Sequence, residues 1–144
     1  MDLFVDTTKG LTFGILDNEF NWLDFRHKEE QKVSAQIHFD LFECLERNKI
    51  QIEQIQGLFY ISGPGSYTGM RVAEGIGDLF ELEKKNVYSF YHFDIPLLCG
   101  QPEGVWATEA FKKEYFVYEW NDKNKEHRLM DKDDFLSSQK KSAL

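Results

Sequence analysis

The 144-residue sequence predicts an α/β fold built around a mixed β-sheet. Residues 3–25 read as three short β-rich runs separated by turn residues, which predicts an antiparallel meander. The chain then alternates helical apolar periodicity with short apolar runs. A glycine-rich turn at residues 62–65 joins one of these runs directly to a helical pattern. The predicted order is therefore β1β2β3 followed by αβαβ.

Three strands open the chain, each an apolar and β-rich run bounded by turn residues: Leu3–Thr7, Leu11–Leu16 and Phe20–Phe25. A charged bridge over residues 26–32 leads to the first helix, which is predicted over residues 34–48. Ile37, Leu41 and Leu45 recur every four residues there, so they form an apolar stripe along this helix.

The second helix is predicted over residues 68–85, directly after the glycine-rich turn. Gly63 and Gly65 can adopt φ > 0 in this turn, and Ser66 or Thr68 can cap the first turn of the helix. Free N–H groups at a helix N-terminus can bind an anion. The turn is therefore either an anion-binding loop or a tight structural corner, and the residues alone favour the corner.

Further strands are predicted at Leu58–Ile61 and over residues 86–93, followed by a short helical turn. Gly100-Gln101-Pro102 indicates a boundary between a first domain, residues 1–100, and a second, residues 101–144. Within the second domain the pattern predicts a hairpin and a short terminal helix: Gly104–Ala107, Tyr115–Trp120 and residues 131–139.

Composition and charge limit the function classes. The formal net charge is −8, and such a field disfavours direct binding to nucleic acid, so any RNA would be carried by another protein. No apolar run approaches the ~18 residues of a membrane-spanning helix. Cys44 and Cys99 are isolated, which predicts two buried thiols rather than a disulfide or a metal site. Together with an N-terminus that lacks a signal-peptide pattern, these features predict a cytoplasmic protein without membrane contact.

The most specific pattern in the chain is Ser62-Gly63-Pro64-Gly65-Ser66-Tyr67-Thr68-Gly69-Met70-Arg71. It resembles the signature of the TsaB family, also called YeaZ. The opening Phe4-Val5-Asp6-Thr7-Thr8 is similar to that family's first strand, and residues 34–45 are similar to its first long helix. The resemblance covers residues 1 to about 100. The predicted strand order is also that of the ribonuclease-H-like lobe found in the actin, hexokinase and Hsp70 superfamily.

The resemblance implies a function in tRNA modification. Members of the family are non-catalytic subunits that bind TsaD, a kinase-like protein, in the synthesis of threonylcarbamoyladenosine on tRNA. TsaE joins them in a ternary complex, and TsaB also forms homodimers through the same helices. The complex uses ATP and Mg²⁺, but this chain alone is expected to bind no cofactor and to be inactive as an enzyme.

The second domain departs from the family pattern. The family's second lobe usually begins with a strand that ends in Asp-Ala-Arg, whereas this chain has Thr108-Glu109-Ala110-Phe111. The chain also reaches Leu144 well before a complete second lobe. We therefore expect a whole first lobe and a truncated second one.

Asp6, Thr7 and Thr8 occupy the place of the superfamily's phosphate-binding turn. A carboxylate there can hold a Mg²⁺-bound water, and Thr8 can contact a phosphate. The simpler interpretation, a strand-end aspartate that closes a tight turn, is favoured by the residues themselves.

The sequence offers little support for metal catalysis or for nucleophilic catalysis. The four histidines, His27, His38, His92 and His127, lack the His-x-x-x-His spacing of a helical metal site. His38 is predicted as a contact residue on a helix face. Ser66 has no evident base in the sequence, so no Ser–His pair is predicted.

The second helix gives the strongest indication of a partner. Gly69, Ala73 and Gly77 recur every four residues and form a strip almost free of side chains, which permits close helix–helix approach. The predicted partner interface combines this strip with apolar neighbours on both helices: Met70, Ile76, Phe80, Ile37, Leu41 and Phe42. The alternative is close packing of the strip inside the domain. Arg71 is expected to form a salt bridge to another element or to a partner.

The leading hypothesis is therefore a scaffold subunit that docks TsaD through a helical face. Two alternatives stay open. One is a homodimeric interaction module, and the other is a small phosphate-binding enzyme of the kinase-like superfamily that uses Asp6 and the glycine turn.

Overall fold

A computed structural model describes residues 1–29 and 33–142 of the chain. Residues 30–32 of the predicted charged bridge and residues 143–144 of the predicted second domain lie outside this part. The chain folds as two compact units, Met1–His92 and the segment from Phe93 onward. None of the described helices is long and apolar enough to cross a membrane.

Among its described residues, the first unit contains five strands, two helices and a 3-10 turn: β1 (Asp2–Asp6), β2 (Leu11–Leu16), β3 (Trp22–Lys28), α1 (Val33–Arg47), the 3-10 turn (Ile52–Gln54), β4 (Gly57–Gly63), α2 (Tyr67–Leu82) and β5 (Asn86–Tyr91). The strand order across the sheet is β3-β2-β1-β4-β5. β1, β2 and β3 pair antiparallel, whereas β4 pairs parallel with both β1 and β5. This confirms the predicted α/β class, the mixed sheet and the β1β2β3αβαβ order.

One face of this sheet packs against α1 and α2. Side chains alternate between the two faces of a strand, so Leu3 and Val5 of β1 point to the helices while Phe4 points away. The core between sheet and helices is formed by fully or almost fully buried apolar side chains, which include Phe13, Ile15, Ile37, Leu58, Ile76 and Phe80.

The third strand begins later and ends later than predicted. Asp17 explains the shift, since its carboxylate accepts from the backbone N–H groups of Glu19 and Asn21 at 2.8 and 2.9 Å. The turn therefore extends to Asn21, and Phe20 lies in it with φ of 61°. The strand then continues through Lys28, so the first part of the predicted charged bridge is a strand.

Charged residues of β3 are held by α1. Asp24 pairs with Arg47, Arg26 with Glu43, and Lys28 Nζ lies 2.6 Å from a carboxylate oxygen of Asp40. Burial raises the pKa of Asp24, but hydrogen bonds from Arg47, Asn48 and Cys44 outweigh it and lower the pKa below its usual value. The alternating charges of β3 thus attach α1 to the sheet.

The second unit contains a short helix, three strands and a longer helix: α3 (Ile95–Leu98), β6 (Gly104–Glu109), β7 (Glu114–Trp120), β8 (Lys125–Asp131) and α4 (Lys132–Ser142). The strands pair antiparallel in the order β6-β7-β8, so the predicted hairpin is part of a three-stranded sheet. β8 escaped prediction because six of its seven residues are exposed and five of the seven carry ionisable side chains, which hides the apolar alternation of a strand.

The two cysteines differ in their surroundings. Cys44 on α1 is buried, and burial together with the neighbouring Asp24 carboxylate raises its pKa to about 12. Cys99 is exposed, so the prediction that both thiols are buried is wrong for this residue.

Candidate functional site

The glycine-rich turn packs against the turn between β1 and β2. The backbone N–H of Ser66 donates to the Thr8 carbonyl at 2.9 Å, and the Thr7 hydroxyl donates to the Gly69 carbonyl at 2.6 Å. A Cβ on Gly69 would overlap the Thr7 carbonyl oxygen. Gly69 is therefore required for close approach of two backbones. We call this contact, residues 62–69 against Thr7-Thr8, the glycine corner.

The other two glycines of the glycine corner are required for different structural reasons. Gly63 has φ of 133°, a region that favours glycine, as predicted. Gly65 does not have positive φ; a Cβ there would lie 2.7 Å from the Thr8 carbonyl oxygen. Ser66 is the N-cap of α2 and accepts from the Gly69 N–H at 3.3 Å. The N–H groups of Ser66 and Gly69 thus have partners within the protein, which supports the structural corner over the anion-binding loop.

The Asp6 carboxylate accepts hydrogen bonds within the same glycine corner. One oxygen, Oδ1, accepts from the Thr8 N–H at 2.9 Å and from the Thr8 hydroxyl at 2.6 Å. His92 Nε2 lies 3.3 Å from Oδ2 and 2.9 Å from the Thr8 hydroxyl oxygen. Burial raises the pKa of Asp6, but the hydrogen bonds from His92 and Thr8 together outweigh it, so the pKa lies below its usual value. The carboxylate is stabilised in its charged form.

The Asp6–Thr8–His92 cluster resembles a catalytic triad in composition but not in arrangement. A nucleophilic hydroxyl must donate its proton to the imidazole and must reach a substrate. The Thr8 hydroxyl instead donates to Asp6, and Thr8 is only 3% exposed. The cluster is therefore arranged to fix the β1–β2 turn rather than to activate Thr8.

The remaining histidines do not meet as metal ligands. His27 Nδ1 lies 2.8 Å from the Thr12 hydroxyl oxygen, and His38 lies on α1 beside an apolar groove. Within residues 1–29 and 33–142, no three side chains of His, Cys, Asp or Glu converge on a point that could hold a metal ion.

The small-residue strip of α2 faces the protein's own sheet. Gly69, Ala73 and Gly77 are buried; Gly69 contacts Thr7, and a Cβ on Gly77 would lie 3.2 Å from the Tyr60 ring. The prediction that this strip forms a partner interface is therefore wrong, and the alternative of close packing inside the domain is correct. Ile76, Phe80 and Ile37, which the same prediction included, belong to the core.

Arg71 forms its salt bridge within its own helix. Its guanidinium lies 2.7 Å from a carboxylate oxygen of Glu74, three residues further along α2. The sequence predicted a salt bridge from Arg71 to another element or to a partner, whereas the structure forms it within α2. Met70 is partly buried beside Gly63, and Tyr67 is exposed at the start of the helix.

An apolar groove of about 380 Å³ lies between α1 and α2. We call it the helix groove. Twelve residues line it: Leu3, His38, Leu41, Phe42, Leu45, Ile52, Ile55, Ile76, Leu79, Phe80, Glu83 and Lys85. Phe42 of α1 is 60% exposed and Leu79 of α2 is 55% exposed. Exposed large apolar side chains that line a concave surface are typical of an interaction site.

The helix groove contains part of the predicted interface. Leu41, Phe42, Ile76 and Phe80, four residues of the predicted interface, line it. Sequence reasoning missed Leu79, Ile52 and Ile55. Leu79 lies three residues after Ile76, and residues at this spacing share one face of a helix. Leu79 would have been included in the predicted interface if the strip of Gly69, Ala73 and Gly77 had been recognised as the buried side of α2.

The comparisons with known proteins concern the fold. No protein-family profile matches the sequence, and no curated protein matches it. The solved structure of YeaZ from Pseudomonas aeruginosa is 18% identical and superposes with a TM-score of 0.65 over 90% of this chain and 64% of that one. A Pseudomonas aeruginosa protein described as similar to the peptidase YeaZ matches with 18% identity, a TM-score of 0.66 and the same coverage.

A third solved structure shares the fold at lower similarity. A structure described as a proposed N-acetylglucosamine kinase from Porphyromonas gingivalis is 11% identical, with a TM-score of 0.51 over 88% of this chain and 47% of that one. The chain thus has the fold of the YeaZ structures, as predicted. It spans about 64% of the length of the YeaZ structures that it matches.

Proposed function

We propose that this chain is a member of the TsaB (YeaZ) family and acts as a non-catalytic scaffold that binds TsaD in the synthesis of threonylcarbamoyladenosine on tRNA. The observation that carries this proposal is the helix groove, an open apolar surface between α1 and α2 on a chain with the YeaZ fold. TsaD occupies the groove in this proposal, and TsaE joins the complex afterwards.

The chemistry of the helix groove suits a partner helix. Its centre is aliphatic and aromatic, while His38, Glu83 and Lys85 provide polar groups among its lining. An amphipathic helix places apolar side chains at four-residue spacing into a groove of this kind, and its polar face stays in water. Covering apolar surface stabilises a complex by about 25 cal/mol per Å² before the costs of association are subtracted.

The proposal assigns ATP and Mg²⁺ to the complex and none to this chain alone. The Asp6 carboxylate, which would hold a Mg²⁺-bound water in a kinase-like site, accepts hydrogen bonds from Thr8 instead. A nucleotide bound here would have to disrupt this arrangement. Transfer of the threonylcarbamoyl group to tRNA is accordingly assigned to TsaD. The net charge of −8 fits a subunit that does not bind the tRNA itself.

The test uses the full chain and the TsaD of the same organism. We expect a one-to-one complex by size-exclusion chromatography, and we expect Phe42→Glu and Leu79→Glu to weaken binding by at least about 100-fold, because each places a charge in an apolar contact. Phe39→Glu is the matched control. Phe39 is 70% exposed on the same helix as Phe42 but lies outside the groove lining.

Two results would contradict the proposal. One is the absence of any complex when TsaE, ATP and Mg²⁺ are also supplied. The other is a complex that both groove variants bind as tightly as the unaltered chain. A folded chain that instead self-associates through Phe42 and Leu79 would favour the homodimeric module, and a thermal shift with nucleotide and Mg²⁺ that Asp6→Ala removes would favour a phosphate-binding enzyme.

A further inference from the structure

Lys85 brings a positive charge to the wall of the helix groove, whose lining is mostly apolar. Its ammonium group donates to the Ile52 carbonyl at 2.7 Å and lies 5.6 Å from the centre of the Phe80 ring, within the range of a cation–π contact. Ile52 and Phe80 themselves line the groove. The charge is therefore held at the groove by two contacts and does not extend freely into solvent.

The turn that ends α2 places Lys85 in this position. The N–H of Lys85 donates to the Phe80 carbonyl at 3.0 Å, and the N–H of Lys84 donates to the Glu81 carbonyl at 2.9 Å. These two hydrogen bonds form a Schellman motif, and Lys84 has the left-handed φ, 58°, that this motif requires. The chain thus turns back so that Lys85 lies over the Phe80 ring, whereas Lys84 is exposed and outside the groove lining.

The ammonium group of Lys85 has donors to spare. It carries three N–H groups, and the Ile52 carbonyl accepts from one of them. Within residues 1–29 and 33–142, no salt bridge joins Lys85 to a carboxylate. A helix that fills the groove excludes water from its wall, and a charge that loses water without gaining a partner is costly. A stable complex therefore requires an acceptor for Lys85.

The acceptor has to come from the partner. Glu83 lines the same groove, but it is exposed and forms no salt bridge with Lys85 among the described residues. A carboxylate on the partner helix meets the requirement better than a neutral acceptor, because hydrogen bonds between charged groups are roughly twice as strong as neutral ones.

We infer that the partner helix carries an aspartate or glutamate whose carboxylate binds Lys85 Nζ. This inference rests on the proposed docking of TsaD in the helix groove and adds the chemistry that the docking helix must have. Apolar contacts alone allow a helix to slide along a groove, whereas a single charge pair fixes its register. Lys85 also rejects a helix with lysine or arginine at that position, through repulsion of like charges.

The experiment measures the dissociation constant of the full chain with the TsaD of the same organism. Lys85→Met should raise this constant at least about tenfold in about 0.1 M sodium chloride, because the partner's carboxylate is left without its cation. The difference should be smaller in about 1 M salt, where the Debye length falls from about 10 Å to about 3 Å.

Two variants serve as controls. Lys84→Met removes the same charge from the neighbouring residue, which does not line the groove, and is expected to leave the dissociation constant unchanged. Lys85→Arg keeps the charge and is expected to retain the binding and its dependence on salt. Circular dichroism of each variant verifies that it is folded.

Three outcomes overturn the role of Lys85. The first is binding that Lys85→Met leaves unchanged. The second is an equal loss in Lys85→Met and Lys85→Arg at both salt concentrations, which would show that the lysine only shapes the groove. The third is a loss in Glu83→Gln as large as in Lys85→Met, which would show that the carboxylate belongs to this chain.

The same measurements separate this inference from the proposed function. A complex that Phe42→Glu weakens and Lys85→Met does not would contradict only the role of Lys85. The absence of any complex with the unaltered chain would contradict the docking of TsaD itself, and the inference with it.

Discussion

The glycine corner and the helix groove lie on the same helix and have opposite characters. At the corner, α2 begins so close to Thr7 that a single Cβ on Gly69 would overlap a carbonyl oxygen. At the groove, the same helix exposes Leu79 beside open space. The most conspicuous motif in the sequence is thus a device of internal packing, while the surface available to a partner is made of residues that the motif does not include.

The difference changes how the interface can be tested. Ala73 and Gly77 pack toward the sheet, so a bulky substitution there would disrupt the core and remove binding only because the protein unfolds. Variants of Phe42 and Leu79 alter the groove without entering the core. Substitutions in the glycine corner should therefore lower the stability of the protein, whereas substitutions in the helix groove should weaken partner binding.

The largest effect is expected from Gly69→Ala, which should lower the free energy of unfolding by about 3 kcal/mol because the corner must open to admit the methyl group. Urea denaturation followed by circular dichroism measures it. Gly75→Ala is the matched control on the same helix. A Cβ there meets nothing within 4 Å, so the better helix propensity of alanine should stabilise the protein by up to about 1 kcal/mol. Equal responses of the two variants would refute the packing argument.

The second largest effect is expected in the pH dependence of stability. The pKa of Asp6 is lower in the folded protein than in the unfolded chain, so its contribution is fully present above the unfolded value of 3.8 and is lost as the pH falls through the lower, folded value. Asp6→Asn should cost about 2 kcal/mol at neutral pH, because charge-assisted hydrogen bonds are lost, and less at low pH. Denaturation curves at a series of pH values compare the two proteins. A cost that does not change with pH would contradict the role given to the carboxylate charge.

A smaller loss is expected from Thr7→Val. The substitution keeps the shape of a buried side chain and removes the hydroxyl that donates to Gly69, so it should cost about 1 kcal/mol. Chemical denaturation measures this loss, and Thr12→Val, which removes a hydroxyl bonded to His27 at a partly exposed position of β2, serves as the comparison. If Thr7→Val is as stable as the unaltered protein, the hydrogen bond does not stabilise the corner.

The smallest effect on stability is expected from Leu79→Glu in the groove, within about 0.5 kcal/mol, because the side chain is already more than half exposed. Binding of TsaD should nevertheless fall. Thermal denaturation and binding measured on the same preparation distinguish the two. A large loss of stability would show that Leu79 belongs to the core and would end the contrast between corner and groove.

The order of the elements could be predicted because local patterns determine it. Turn residues separate the first strands, and apolar residues at four-residue spacing identify α1. β3 and β8 were harder, since their charged side chains mask the strand pattern; in β3 these charges are explained only by partners on α1 that are distant in sequence.

The candidate site was predicted in part for a related reason. Small residues at four-residue spacing fit a partner helix and the protein's own sheet equally well, so the sequence could not decide which side of α2 is covered. The helix groove depends on the meeting of Phe42 and Leu79, which only the tertiary structure brings about. The contact between Asp6 and His92 likewise depends on the tertiary structure, since it joins the end of β1 to the residue after β5, and β4 lies between these strands in the sheet.

The three tryptophans are divided between the two units. Trp22 belongs to the first unit and is about half exposed, whereas Trp120 of the second is buried and donates from Nε1 to the Gln101 carbonyl at 3.0 Å. An exposed indole emits at longer wavelength than a buried one and is quenched more readily by acrylamide. Quenchable, red-shifted fluorescence therefore reports on the first unit and shielded emission on the second, so the unfolding of each can be followed optically without an added label.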